Sequence, residues 1–256
     1  MPPSKPNVKP LVWVTRPRGL EDDLIGGLKA AGCRVHYEPM LEIQPLLGAQ
    51  GEKYPQQLAQ LPEQDALIFI SANAVDSFVE LTTSSQQDAL KTLDVYAVGK
   101  ATAARLAAIG IQAFYPKSIM SSEGLLALKR LQSVEGKRFF IIRGRGGRGF
   151  LQQQLRSRGA SAEHVEMYCR LAPKQLSAEA IQAIAERRFS AVFAGSIETF
   201  ENILQLAPTL DRNTVIITPG ERVSAFIRNA GFIQVIEAAS ASNVDMIETL
   251  QCTLAR

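Results

Sequence analysis

The sequence predicts an α/β protein of two similar domains, each built on a parallel sheet, with one domain inserted into the other. Three internal echoes predict it. Residues 9–39 (KPLVWVTRPRGLEDDLIGGLKAAGCRVHYEP) return as residues 136–168 (GKRFFIIRGRGGRGFLQQQLRSRGASAEHVEMY), with an Arg 16 positions ahead of a Gly in both: Arg16 with Gly32, Arg143 with Gly159. Residues 65–81 (DALIFISANAVDSFVEL) pair with 190–204 (SAVFAGSIETFENIL), and 95–115 with 214–236, where Gly99 and Gly110, and Gly220 and Gly231, both stand 11 apart. If the copies are named A, B and C, the chain runs A, B′, C′, A′, B, C, so one module is interrupted by its complete twin. Two domains, two crossings and a cleft between the domains follow from that order.

Each module reads as strand, then helix. Leu11 to Thr15 and Phe139 to Ile142 are short apolar runs of the kind that form buried parallel strands. An Arg/Gly loop follows each, then an amphipathic helix, near 20–31 and 149–158. Leu20, Leu24, Ile25 and Leu28 share one face of the first. Gly32 and Gly159 stand where helix C-cap glycines belong. Residues 66–70 and 191–194 are the next strands, and Ser71 and Ser196 then fall at helix N-caps. Residues 95–98 and 215–218 form strands ending at Gly99 and Gly220. Segments 121–123 and 240–245 precede a short helix that closes each module. Strand alternating with helix places both sheets in the parallel, flavodoxin-like α/β class.

The crossings are expected at residues 37–47 (YEPMLEIQPLL) and 163–173 (EHVEMYCRLAP), both of which alternate apolar and polar side chains as strands do. They predict a two-stranded β-ladder running in opposite directions. The expected division is residues 1–38 plus 172–256 for a discontinuous domain, 46–164 for an inserted one, and 39–45 with 165–171 for the ladder. A two-stranded ribbon is weak alone, so motion between domains is expected.

Composition narrows the function. A charged fraction of 21% and a net charge of +3 permit an anionic ligand, and no Lys/Arg block forms a nucleic-acid arm. Three cysteines without C-x-x-C spacing point to a reduced, cytoplasmic compartment. No apolar run reaches membrane-spanning length, and the polar, Pro-rich start reads as a loose tail. Nothing in the chain marks an assembly interface, so a monomer is expected.

Among motifs, Gly144 to Gly149 (GRGGRG) matches the dinucleotide fingerprint G-x-G-x-x-G, with Glu163 near the ribose-binding position. Its twin, Arg16-Pro17-Arg18-Gly19, lacks the glycines, so their spacing is not what the module needs. The alternatives are a solvated loop and an anion-binding rim in which arginine forks and helix N-termini hold carboxylates. His36 and His164 occupy near-equivalent places and form a two-histidine metal pair only if carboxylates or thiolates join them; duplicated bystanders is the plainer reading. Ligands of parallel sheets bind at strand C-termini. The binding candidates there are Arg16, Ser71, Asn73, Ala74, Thr102, Ser122, Arg143, Ser196 and Gly220, set against ordinary helix capping as the alternative.

In this order, V-T-R-P, I-F-I-S-A-N-A-V, A-V-G-K-A-T-A-A-R-L-A-A-I-G, S-S-E-G-L-L and V-E-M-Y-C-R-L-A-P resemble uroporphyrinogen-III synthase, over nearly the whole chain. The resemblance implies two α/β domains on a β-ladder. It implies an enzyme closing hydroxymethylbilane, a linear tetrapyrrole with eight carboxylates, with inversion of ring D through an azafulvene and a spiro intermediate, without cofactor or metal. The preceding bilane-forming enzyme is the implied partner. Tyr168 matches the family tyrosine beside the cleft and is the candidate acid, since a phenol is protonated at neutral pH and can donate. Ser71 and Thr102 match cleft-facing family positions. The chain departs from the family at Glu221-Arg222-Val223, where Thr-Thr is frequent, and at Ala194-Gly195-Ser196, where the family carries Thr-Ser. Two other readings stay open: a two-lobed anion-binding protein without catalysis, and a nucleotide-dependent enzyme using the Gly144 to Gly149 loop.

Overall fold

A computed structural model describes residues 9–19, 21–46 and 65–254. The N-terminal tail before Lys9, Leu20 and Leu47 lie outside the described residues. The chain divides into two compact units, Met1–Glu42 with Leu171–Arg256, and Ile43–Arg170.

In the first unit the strands are β1 (Leu11–Val14), β2 (Arg34–Tyr37), β8 (Phe189–Phe193), β9 (Val215–Thr218) and β10 (Val235–Glu237), and the sheet order is β10-β9-β8-β1-β2. Its ladders β1–β2, β1–β8, β8–β9 and β9–β10 are all parallel. By position in the unit this is the order 2-1-3-4-5, the flavodoxin-like arrangement. The helices are α1 (Asp22–Ala30), α7 (Ala178–Ala185), α8 (Ile197–Leu206), α9 (Glu221–Asn229) and α10 (Asn243–Leu254). They bury both faces of the central strands, which is why β1, β8 and β9 read as largely apolar runs while the edge strand β2 carries Arg34 and His36. Trp13, Val192 and Ile216 face one cluster; Val12, Val14, Ala191 and Ile217 face the other. Trp13 stacks on Phe189 at 5.2 Å between ring centroids, and each such buried aromatic contributes roughly 2 kcal/mol. The helix closing this unit is not short, as the sequence suggested, but spans 12 residues.

The second unit holds β3 (Glu42–Pro45), β4 (Asp65–Phe69), β5 (Asp94–Ala97), β6 (Arg138–Gly144) and β7 (Ser161–Leu171), ordered β3-β7-β6-β4-β5. Its helices are α2 (Ala72–Leu81), α3 (Ser84–Ala89), α4 (Lys100–Ala108), α5 (Ser122–Leu126) and α6 (Phe150–Ser157). Matched by sequence echo, β7-β6-β4-β5 repeats β2-β1-β8-β9. Where the first unit places β10, this one has a single parallel bridge between Tyr96 and Phe114. Gly32 and Gly159 share φ +84°, and Gly110 and Gly231 have φ +78° and +89°, so these two pairs occupy the left-handed region that ends helices, while Gly99 and Gly220 are extended N-caps.

The crossings differ from each other. The second is one strand, β7, of 11 residues. The first breaks between β2 and β3 around Pro39, which cannot donate to a ladder. That break is tied down by its own backbone: Trp13 Nε1 donates to Glu38 O at 3.0 Å, Met40 N to Thr15 O at 3.0 Å, and Asn202 Nδ2 to Met40 O at 2.7 Å. β3 is the hydrogen-bonded neighbour of β7, with Leu46 N donating to Met167 O at 2.9 Å.

Candidate active site

Both sheets reverse their winding at one place, between β1 and β8 in the first unit and between β6 and β4 in the second. Strand ends beside such a switch point are where α/β sheets bind ligands. The chain puts an arginine loop and a serine-capped helix there in each unit.

In the first unit these features line a cavity of about 650 Å³, bounded by Arg16, Pro17, Asp22, Leu41, Ser196 and Asn243 among others. Arg16 donates through Nη1 to Asn243 Oδ1 and through Nη2 to Ala241 O at 3.1 Å. Burial lowers its pKa, yet an arginine stays charged at any working pH. Asp22 and Asp23 also line the cavity, so its charge is mixed. Ser196 caps α8, accepting from Thr199 N at 3.1 Å, with Thr199 Oγ1 2.9 Å away. Gly220 is the N-cap of α9 in extended backbone, and its neighbour Pro219 reaches the cavity wall.

The second unit centres on Tyr168. Its phenol oxygen lies 3.1 Å from Ser71 Oγ, which also accepts from Ala74 N at 3.1 Å as the cap of α2. A register shift explains how Tyr168 reaches this place. Arg143 pairs with Glu166, but Gly144 pairs with Tyr168, so Met167 is the extra residue of a bulge. Val165, Met167 and Tyr168 all join the same core cluster, which strict alternation along a strand would forbid. The ring then packs over Gly144, and Arg145 N donates to Tyr168 O at 2.7 Å.

Several expected ligand contacts are corrected. Arg143 is only 5% exposed, and its guanidinium is occupied by its own loop. It donates to Gly144 O at 3.1 Å, Arg148 O at 3.2 Å and Gly146 O, and touches His164 Nε2 at 3.2 Å. Burial lowers its pKa. Arg143 is therefore a loop clamp, not a carboxylate receptor. The same contacts dispose of the dinucleotide fingerprint. A pyrophosphate loop turns N–H groups inward, whereas this one turns carbonyls inward around a guanidinium, and Gly146 N donates to Glu166 Oε1 at 3.3 Å. The Ala74 amide, expected to face a ligand, is used by the Ser71 cap, and the residue is fully buried.

Of the remaining candidates, Asn73 lies half-buried in the first turn of α2 and Ser122 half-buried at the start of α5, which Ser121 caps. Thr102 is buried on α4 at 4% exposure. Each histidine has a partner within its own unit. His36 Nε2 bonds Glu38 Oε2 at 2.8 Å and His164 lies against Arg143. No group of three or more metal-ligating side chains occurs among the described residues. The residues missed by sequence reasoning are Asn243 and Leu41, and Gly144 was read only as part of the glycine fingerprint. One signal was available: Leu41 stands 25 after Arg16, and Tyr168 stands 25 after Arg143, so Leu41 is the position twin of Tyr168.

No helix among the described residues is long and apolar enough to cross a membrane. A profile of the family described as uroporphyrinogen-III synthase HemD matches residues 22–248. The chain is 31% identical over 247 residues to the uroporphyrinogen-III synthase of Escherichia coli (strain K12), covering 94% of this chain and 99% of that protein. It is 28% identical over 246 residues to that of Salmonella typhimurium, with the same 94% and 99% coverage. In fold it is similar to the crystal structure of uroporphyrinogen-III synthetase from Helicobacter pylori, at TM-score 0.65 and 17% identity over 96% of this chain and all (100%) of that one. It is also similar to a mutant uroporphyrinogen III synthase from the extremely thermophilic bacterium Thermus thermophilus, at TM-score 0.59 and 15% identity, covering 96% and 99%. A match over residues 22–248, with a relative 31% identical along nearly its full length, means that the chain belongs to the uroporphyrinogen-III synthase family.

Proposed function

We propose that this chain closes hydroxymethylbilane to uroporphyrinogen III, with Tyr168 as the acid that helps hydroxide leave and the Arg16 cavity as a receptor for substrate carboxylates. The observation that carries it is the phenol of Tyr168, fixed 3.1 Å from Ser71 Oγ at the strand ends of the second unit. A hydroxyl already accepting one N–H still has a proton and a lone pair to orient a phenol. The phenol gives its proton to the terminal hydroxyl, and water departs. The azafulvene left behind is attacked by the substituted carbon of ring D, giving the spiro intermediate. That species fragments and recloses with ring D inverted, and the phenolate recovers a proton when the last ring sheds one to regain aromaticity. The remaining task is to hold a flexible chain and exclude water. Charge-assisted hydrogen bonds to carboxylates, each contributing about 1.5–3 kcal/mol, serve that task at Arg16. Its side chain is already braced by Asn243 and Ala241 O. The chain acts as a monomer in the cytoplasm, receiving substrate from the enzyme that makes the linear bilane.

The test supplies hydroxymethylbilane to the purified protein and resolves the porphyrin isomers after oxidation. The type III isomer is expected; type I alone would leave a binding protein without catalysis. Tyr168→Phe should lower turnover about 100-fold, the size of a lost general acid, with little change in melting temperature. Full turnover in that variant removes the acid role.

A further inference from the structure

We propose that Gly144 is a positioning residue for Tyr168: the bare α-carbon of Gly144, clamped by Arg143, is the seat on which the phenol ring is set against Ser71. The inference rests on Tyr168 being the acid. A methyl group added at Gly144 would stand 2.5 Å from Tyr168 Cε2, 2.6 Å from Cζ and 3.0 Å from the phenol oxygen. All three contacts are with the half of the ring that bears the hydroxyl. An alanine there pushes the phenol off its site and leaves the backbone of the strand alone. Unlike Gly146 and Gly147, at φ +79° and +84°, Gly144 is not among the glycines of the left-handed region, so another residue meets no backbone strain there.

The seat is held from both sides. Arg143 Nε donates to Gly144 O at 3.1 Å, and its Nη atoms reach Arg148 O and Gly146 O. Arg145 N donates to Tyr168 O at 2.7 Å, tying the same turn to the tyrosine's own backbone. An added side chain at Gly147 would meet Arg143 Nη2 at 2.7 Å, so the glycine-rich run leaves room for the clamp. The glycines that imitate a nucleotide fingerprint thus have another task, which is to let a guanidinium and a phenol pack against bare backbone. The first unit carries Pro17 at the position of Gly144 and Leu41 at the position of Tyr168. Seat and acid are absent together.

A double-mutant cycle on the full-length enzyme tests this, with hydroxymethylbilane as substrate. Gly144→Ala should lower kcat to within about three-fold of Tyr168→Phe and leave KM within about two-fold. Adding Tyr168→Phe to Gly144→Ala should cost no more than about a further two-fold, because the phenol has already lost its place. Arg143→Lys, which cannot fork across three carbonyls, should show the same non-additivity and gives the answer if Gly144→Ala does not fold. Losses that multiply, or an unchanged kcat in the single variants while Tyr168→Phe is slow, overturn the positioning role alone. A Tyr168→Phe enzyme at full rate overturns both the acid and its seat.

Discussion

The loops after β1 and β6 hold matching places in the repeat, yet their arginines are bound differently. Arg16 and Arg143 hold the same place in the repeat, yet Arg16 reaches Asn243 and Ala241 at the start of α10 while Arg143 turns back into its own loop. The residues that follow decide between them. Gly146 and Gly147, both at positive φ, let the second loop curl around a guanidinium. The first loop has Pro17, with its fixed φ, directly after the arginine, and its left-handed glycine, Gly19, comes two residues later. The capping serines have diverged too: Ser196 spends its hydroxyl on Thr199 of its own helix, and Ser71 shares its hydroxyl with Tyr168. Duplication keeps the position of a side chain, and the neighbours choose its partner.

The largest expected effect breaks the arginine twins apart. Arg143→Ala removes a buried side chain that holds three carbonyls of its loop, two of them on exposed residues, and should cost about 2 kcal/mol in chemical denaturation, whereas Arg16→Ala should cost under about 1 kcal/mol and instead raise KM about 10-fold, the loss of one charge-assisted bond. Equal destabilisation by the two would mean that the loops still share one role. The twin C-cap glycines give a smaller contrast. At φ +84°, alanine is strained in either place, by about 1 kcal/mol. At Gly32 the new methyl meets open space, but at Gly159 it meets Glu135 Cγ at 3.1 Å and Cα at 3.3 Å. Gly159→Ala should therefore destabilise by about 2 kcal/mol and Gly32→Ala by about half that, as compared by thermal melts. The smallest effect is a pH dependence from His164 in the second copy. Burial and then Arg143 hold the His164 pKa below its ordinary 6.5, with Arg156 acting the same way and Glu166 opposing. As pH falls, the unfolded chain takes up that proton first, so this contribution is complete above about 6.5 and is lost as pH falls through the folded value. His164→Gln should flatten the stability profile on that acidic side, and an unchanged slope would show that another group sets it.

The fold was legible because repeats and apolar runs encode it directly. The glycine pairs announced left-handed helix ends, and the A-B-C echoes announced two sheets with one strand order. The site was legible only in part. Arg16, Ser71 and Ser196 stand at strand ends where pattern places them, and Tyr168, which the family resemblance named, lies within β7 beside Ser71. The occupation of Arg143 was hidden, because a guanidinium binds loop carbonyls and ligand carboxylates with the same N–H groups, and sequence does not say which is nearer. The bulge at Met167 was hidden as well, since one skipped residue leaves no trace in the alternation of V-E-M-Y. The second crossing was readable as one strand, and the split of the first into β2 and β3 around Pro39 was not.

β3 and β7, the strands on which the chain enters and leaves the inserted unit, are hydrogen-bonded neighbours, joined by Leu46 N to Met167 O at 2.9 Å. In genetic terms the guest begins and ends at a single address. Its host had only to open one connection and take up a module whose two ends already lay side by side, much as it would accept a long surface loop.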